Sequence, residues 1–430
     1  MKTKLIAGLV ASCFAAPVLA QSNITIYGLV DAGIHVSSNG EGTRTKLVSG
    51  IADGSRLGFK GTEDLGGGYK AIFNLESRVE IDNGGNQAGN ISDNQGFALS
   101  RGLAFTVPPQ AGGQVTANQL LAGVRGAMQP AVNVNTKAAL FDRTAMVGLI
   151  TPVGAILAGR MYTPTYEVFA SADTFETGTA GSWGGVGLGA GGILTAGVAI
   201  RSDKALQYRI ELPSGISAAL MYGFENSGYI GLDKRFYAAN VMYKANGFNV
   251  GVGYNNGQDQ NGNSGLISTA LGGSYTTGNM KFFAGYLKQK NDHSVLIPEL
   301  NKALAPTFAK FGPSLGQVLA GQFNANLVQN FKLDADSYSV GMHYQLGNGR
   351  IMGSVSRQND KTAFNNDATQ YAIGYDHNLS KRTDIYTVLA YIKNDNNAQY
   401  APGAASAPGG FTSAGGVSGK AFQVGMRHRF

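Results

Sequence analysis

From Phe422 to the final residue the chain keeps a strict two-residue rhythm. Phe422, Val424, Met426, His428 and Phe430 fall on one side of an extended strand; Gln423, Gly425, Arg427 and Arg429 fall on the other. The same alternation recurs upstream. Tyr338, Val340, Met342, Tyr344 and Leu346 oppose Ser339, Gly341, His343 and Gln345. Phe248, Val250, Val252 and Tyr254 oppose a face that is mostly glycine, at Gly251 and Gly253. Tyr371, Ile373 and Tyr375 alternate with Ala372, Gly374 and Asp376, and Tyr208, Ile210 and Leu212 with Gln207, Arg209 and Glu211. A helical period fits none of these segments.

The connections between alternating segments are of two kinds. Short ones rich in Gly, Asn and Pro lie at 65–68, 151–154, 213–215, 245–247, 277–279, 347–349 and 378–382, where tight-turn residues supply positive φ. Longer polar ones lie at 37–55, 83–140, 161–204, 225–234, 258–266, 291–335, 359–367 and 395–419. Short and long alternate throughout. With both chain ends on the short-turn side, seven turns and eight loops join sixteen strands. An even strand number with such asymmetry predicts an all-β fold, a 16-stranded antiparallel transmembrane β-barrel. A strand-like stretch at 100–107 followed by a turn at 108–113 would add a hairpin and make eighteen, but the apolar pattern fades after Gln114, which favours an enlarged loop. No linker interrupts the chain, so residues 21–430 read as one domain.

The first twenty residues read as a targeting segment. Lys2 and Lys4 precede an apolar run from Leu5 to Phe14, and Val18, Leu19 and Ala20 suit signal-peptidase cleavage before Gln21. A lipobox-like Val10, Ala11, Ser12 and Cys13 is the rival; the apolar run ahead of Cys13 is short and continues past it. Cys13 is the single cysteine and leaves with the leader, so the mature chain forms no disulfide and no thiolate metal site. No other stretch approaches the about 20 apolar residues of a membrane-spanning helix.

Composition fits the barrel. There are 62 Gly, 19 Tyr and 21 Phe against 12 Pro and one Trp, which suits many close-paired strands ringed by aromatics at two interfaces. Mean hydropathy is close to zero because only every second strand residue faces lipid. The net charge of +7 is dispersed rather than blocked, so a nucleic-acid role has little support.

Several motifs resemble the Gram-negative general porins. They are Ile24-Thr-Ile-Tyr-Gly-Leu-Val-Asp31, the segment 55–76 beginning Ser55-Arg-Leu-Gly-Phe-Lys-Gly-Thr62, Phe141-Asp-Arg-Thr-Ala-Met-Val-Gly-Leu149 and Leu157-Ala-Gly-Arg-Met-Tyr162. The ending Val424-Gly-Met-Arg-His-Arg-Phe430 is similar to the betaproteobacterial branch. The resemblance implies a homotrimer of water-filled diffusion channels for small hydrophilic solutes, set among outer-membrane lipid and lipopolysaccharide. It also implies that the outer-membrane assembly machinery reads Phe430. The long 83–140 segment departs from the family, whose second loop is usually shorter and reaches a neighbouring subunit.

The resemblance further implies a third loop folded into the barrel after Arg160. Its acidic residues map to Asp173 and Glu176, with Glu167 on the same loop. The facing basic residues map to Arg56, Arg143 and Arg209. Alternation independently turns Arg56 and Arg209 toward the lumen, out of phase with Leu57 and Phe59 and with Tyr208 and Ile210. An arginine-rich wall attracts anions, so a weak anion preference is expected.

Other chemistry is not nominated. His35, His293, His343, His377 and His428 show no metal-ligand spacing, and His343 reads as a lumen residue. No nucleophile elbow is present, so no enzyme activity and no cofactor are expected. The glycine run 187–192 lacks the flanking strand, helix and acid of a nucleotide site. The alternative function is an outer-membrane adhesin or receptor barrel acting through its long loops.

Overall fold

Alternation becomes one antiparallel sheet that closes on itself in this computed structural model, which describes residues 23–40, 42–86, 139–187, 199–225, 234–259, 261–292, 297–330, 332–406 and 409–430. The strands are β1 (Asn23–Ser38), β2 (Thr43–Ser49), β3 (Arg56–Gly66), β4 (Tyr69–Arg78), β5 (Thr144–Thr151), β6 (Gly154–Tyr162), β7 (Arg201–Glu211), β8 (Ile216–Gly223) and β9 (Phe236–Ala245). They continue as β10 (Phe248–Gln258), β11 (Ser264–Thr277), β12 (Met280–Asn291), β13 (Leu333–Leu346), β14 (Gly349–Asp360), β15 (Ala368–Asn378), β16 (Thr383–Asn394) and β17 (Gly419–Arg429). β1 pairs with both β2 and β3, each later strand pairs with its sequence neighbour, and β17 returns to β1.

Seventeen strands nonetheless make sixteen staves. The C-terminal half of β1 pairs with β2, from Ala32–Ser49 to Ser38–Thr43, while its N-terminal half pairs with β3, from Leu29–Arg56 to Asn23–Thr62. β2 and β3 are thus two pieces of one stave, broken at residues 50–55. The sequence reading put a long loop at 37–55; instead a strand lies there and the chain leaves the wall lower down. All seven predicted tight turns join the hairpins expected of them. The 258–266 loop is shorter than expected, because β10 runs to Gln258 and β11 begins at Ser264. In the 291–335 segment, α3 (Ile297–Ala309) and α4 (Pro313–Asn330) form a hairpin with Phe308 and Phe323 rings 5.7 Å apart inside it. Its period was masked by Gly316, Gly321 and Pro306, which lower helix propensity. The 100–107 hairpin candidate, the leader and most of the 83–140 loop lie outside the described residues.

The two faces separate as the pleat requires. On β13, Val340 is 59% exposed and Ser339 2%; on β15, Ile373 is 57% exposed and Gln370 buried. Outward aromatics collect at two heights. Tyr286 and Tyr338 (5.3 Å) and Tyr371 and Tyr391 (6.5 Å) meet toward the loops, Phe248 and Tyr275 (4.4 Å) near the turns. Amphipathic rings at both heights match the two interfaces of a bilayer, and among the described residues no helix is long and apolar enough to cross a membrane.

Closure depends on Gly28. Its N–H donates to the Phe430 carbonyl and its carbonyl accepts from the Phe430 N–H, both at 3.1 Å. The Phe430 ring folds over it, so that a Cβ at Gly28 would stand 2.2 Å from the ring. Gly28→Val should therefore displace the terminal aromatic and weaken the seam by about 1–3 kcal/mol, the usual cost of overpacking. Heat-shift electrophoresis reads it as a lower temperature for loss of the folded band; an unchanged transition would count against this closure.

Candidate functional site

The barrel is narrowed from within by residues 163–187. Helix α1 (Pro164–Ala172) begins at Thr163, whose side chain accepts from the Tyr166 N–H (3.3 Å), and Pro164 occupies the first position, where its missing N–H costs nothing. Val168, Phe169 and Ala172 form its buried face, laid on β9 to β12. The wall there is glycine, and that explains the bare lumen face of β10. A Cβ at Gly253 would lie 2.9 Å from the Thr165 Cα, and one at Gly285 would strike the Trp183 ring at 2.4 Å. Trp183 stacks on Phe169 with centroids 4.5 Å apart and donates its Nε1–H to Ser337 Oγ at 2.8 Å. After α1 the chain crosses the lumen, makes the single turn α2 (Gly184–Gly187) and rests against β13 to β15.

A second inward feature is the break between β2 and β3. The buried carboxylate of Asp31 accepts from the N–H groups of Ile51 (3.2 Å), Ala52 (2.9 Å) and Asp53 (2.8 Å) and from the Tyr386 hydroxyl (2.6 Å). Ser55 Oγ donates to the Asp31 carbonyl (2.9 Å) and accepts from its N–H (3.0 Å), taking over from the ladder. Residues 50–55 are thus drawn into the bore as a wedge. The Ile51 carbonyl then accepts from Thr179 (2.6 Å) and Ala405 (3.0 Å), and the Gly50 carbonyl from Ser406 (2.9 Å). One carboxylate, through the wedge, ties both the third and the eighth loop to the wall.

Charges gather beside this wedge. Arg56 grips Asp53 with two hydrogen bonds, at 2.6 and 3.0 Å, and its Nε lies 3.5 Å from Glu76. Arg143 Nε donates to Glu76 at 2.6 Å and its Nη2 reaches the Tyr162 hydroxyl at 3.3 Å. Arg160 pairs with Asp203. Arg201 lies 4.1 Å over the Tyr162 ring and donates to its hydroxyl, with no carboxylate partner among the described residues. Arg56, Arg143, Arg160 and Arg201 here meet Asp53, Glu76 and Asp203, and the adjoining Arg78 pairs with Glu80 and Asp142, so the cluster balances as a whole while Arg201 itself stands without an ion pair among the described residues.

The loop carboxylates stand elsewhere. Glu167 on α1 pairs with Arg209 and accepts from Asn240 Nδ2 at 3.1 Å. Glu176 reaches the opposite wall, where Arg350 holds both its oxygens at 2.7 and 3.0 Å; Arg350 also contacts Asp376, beside Arg427 and Asp384. Asp173 corrects the sequence expectation: it does not face the arginines across the bore. It is buried, accepting from Ser182 Oγ (2.5 Å) and the N–H groups of Phe175 (3.0 Å), Thr177 (3.2 Å) and Trp183 (3.2 Å), so it knots the loop. Burial pushes its carboxyl up, against those donors. Arg56 and Arg209 lie in the lumen, where alternation put them, and Arg143 sits one residue before β5. His343 also faces the bore, its Nε2 2.6 Å from the Thr174 carbonyl.

Sequence reasoning missed Asp31, Asp53, Glu76, Tyr162, Arg201 and Arg350. Glu76 and Arg350 carried a usable signal, since both lie on polar faces of alternating strands; Asp53 and Arg201 sit where alternation breaks.

Burial raises Glu176, but the hydrogen bonds and charge of Arg350 outweigh it and hold the carboxyl down at about 2. A depressed carboxylate contributes stability above its unfolded value and loses it as pH falls through the folded one, so the bridge persists from neutral pH down toward about 2. Open-channel noise should therefore match at about pH 7 and about pH 4; extra noise at the lower pH would show that the loop tip had come free.

A family profile described as Gram-negative porin matches residues 7–397. Outer membrane porin protein 32 of Delftia acidovorans is 28% identical over 435 aligned positions, covering all of both chains. Among solved structures, an anion-selective porin from Comamonas acidovorans aligns with a TM-score of 0.65 at 24% identity, over 95% of this chain and all of that one. The trimer form of OmpT from Vibrio cholerae aligns at 0.56 and 14% identity, over 95% of this chain and 99% of its own.

Proposed function

We propose, from the premise that this chain belongs to the Gram-negative porin family and is an outer-membrane diffusion channel, that it passes small hydrophilic solutes and ions with a preference for anions. The observation that carries the preference is Arg201, which stands beside the narrowed bore with no ion pair among the described residues. Pairing neutralises Arg209 locally and largely neutralises Arg56 and Arg143, whereas the half-buried Arg201, stacked on Tyr162, keeps a guanidinium with no ion pair among the described residues at the edge of a bore with low-dielectric walls. The constriction would be formed by Arg56, Arg143, Arg201 and Tyr162 on the wall, with Glu167 and Glu176 fixing the loop. Asp173 would act from inside the loop by keeping its shape.

Family membership does not favour the adhesin alternative, and it points to a channel rather than an enzyme. A homotrimer is supported by the trimer form of the similar OmpT, and removal of residues 1–20 by the signal-like leader. Assembly through Phe430 is supported by its place at the closing seam. Purified protein in planar bilayers tests the whole reading. Ohmic conductance in steps grouped by three, with a zero-current potential set by the anion, is expected. Absence of conductance would overturn the channel, and single ungrouped steps would overturn the trimer.

A further inference from the structure

The bore wall that the inward loop leaves open is not uniformly polar. Strand register places Lys70, Ile150, Ala155 and Arg209 on one rung across β4 to β7. Ile72, Gly148, Leu157 and Gln207 share the next rung, and Asn74, Met146, Gly159 and Ala205 the one above. These rungs face the lumen, because Arg209 on the first meets Glu167 of α1 and Asn74 on the third accepts from the Tyr27 hydroxyl, which also contacts Glu76. Ile72 and Leu157 close over Gly148, whose added Cβ would stand 3.1 Å from one and 2.5 Å from the other. Ile72, Met146, Ile150 and Leu157 are all only half-buried.

Elsewhere apolar lumen residues have an explanation. Those on β9 to β12 seat α1, and those on β13 to β15 meet the descending loop. Among the described residues α1 touches β6 at its loop end, where Tyr166 stacks on Tyr162, and the buried cluster around Met161 and Ala205 flanks Met146 and Leu157; from there the strip continues toward the turns through Ile72 and Ile150, along the channel wall. It extends over three rungs, about 14 Å along the strands at roughly 3.4 Å per residue. Cations edge it. Lys60 lies level with Met146 through Asn74, with its ammonium 5.2 Å from the centre of the Tyr27 ring, and Lys70 is level with Ile150, with Asp64 opposite it on β3; Arg209 on the far side is already paired with Glu167.

An apolar strip with positive edges suits a particular solute. Neutral apolar molecules would cross the charged narrows at a penalty, and fully hydroxylated anions gain nothing from Ile or Leu side chains. We propose that this wall is a lane for organic monoanions with an apolar body, carboxylates on alkyl or aryl groups, whose head follows Lys60 and Lys70 while the body slides over Ile72, Ile150 and the exposed flanks of Met146 and Leu157. The proposal rests on the channel reading and names a solute class for it.

Bi-ionic reversal potentials separate the two. Potassium chloride faces potassium hexanoate or potassium gluconate, anions with equal carbon number and opposite polarity of the chain. In the unmodified protein hexanoate should be the more permeant by severalfold. Ile72→Thr combined with Ile150→Thr keeps β-branched side chains on the strands and should lower hexanoate permeability about threefold or more, leaving chloride conductance and gluconate nearly unchanged. Leu157→Gln should act in the same direction. A hexanoate-to-gluconate ratio that both variants leave unaltered, in channels that still carry chloride, would overturn the lane. Loss of chloride conductance already in the unmodified protein would overturn the channel itself.

Discussion

Arg201→Glu turns the channel from anion-preferring to cation-preferring, the largest selectivity change of any single substitution in the bore. At about 6 Å in water a unit charge is worth roughly 0.7 kcal/mol, and reversing it doubles the change. Because an interaction of about 1.4 kcal/mol is a factor of ten, the anion-to-cation permeability ratio should fall on the order of tenfold in about 0.1 M salt, after screening over about 10 Å. Arg209→Gln should do less, since Glu167 already offsets that guanidinium and the substitution frees the carboxylate. Arg56→Gln falls between, its charge shared with Asp53 and Glu76. The order Arg201, Arg56, Arg209 in reversal-potential shift is the measurement. An equal shift from all three would mean that ions sense the summed field and that local pairing is irrelevant.

What the sequence made legible follows from which interactions are periodic. Lipid on one side and water on the other impose alternation on every strand, so the staves, the turns and the inward direction of Arg56 and Arg209 could be read residue by residue. Glycine on the lumen face of β10 was visible too, but its purpose was not: only the structure shows that Gly253 there leaves room for α1, as Gly285 on β12 does for Trp183. Aperiodic contacts were hidden. Asp173 looked like a pore carboxylate because it stands on the inward loop; whether a loop acid faces water or its own backbone depends on tertiary turns such as 173–183, which no spacing encodes. Arg201 follows the loop rather than an alternating run. The β2 and β3 break was read as a loop because polar residues in 37–55 resemble one, whereas Arg44 and Lys46 lie on a strand.

Asp31→Ala should loosen the constriction while leaving the barrel closed. Four donors converge on this buried carboxylate: three backbone N–H groups of the wedge and the Tyr386 hydroxyl. A buried donor left unpaired costs about 1–3 kcal/mol, so the wedge cannot stay in place at an expense of several kcal/mol and moves to where water satisfies it. When it moves, the Ile51 and Gly50 carbonyls leave Thr179, Ala405 and Ser406, and the third and eighth loops lose their shared tie. β1 keeps its ladders to β17, β2 and β3, none of which uses the carboxylate. The expected phenotype is therefore larger mean conductance and strong open-channel noise, from a protein that still migrates as a folded barrel but unfolds at lower temperature. Tyr386→Phe removes one donor without orphaning the others, and should cost only about 1 kcal/mol with little added noise. Quiet, normal-sized openings in Asp31→Ala would show that Glu176–Arg350, Trp183–Ser337 and Glu167–Arg209 hold the loop unaided. That outcome would make the wedge a passenger of the constriction and not its support.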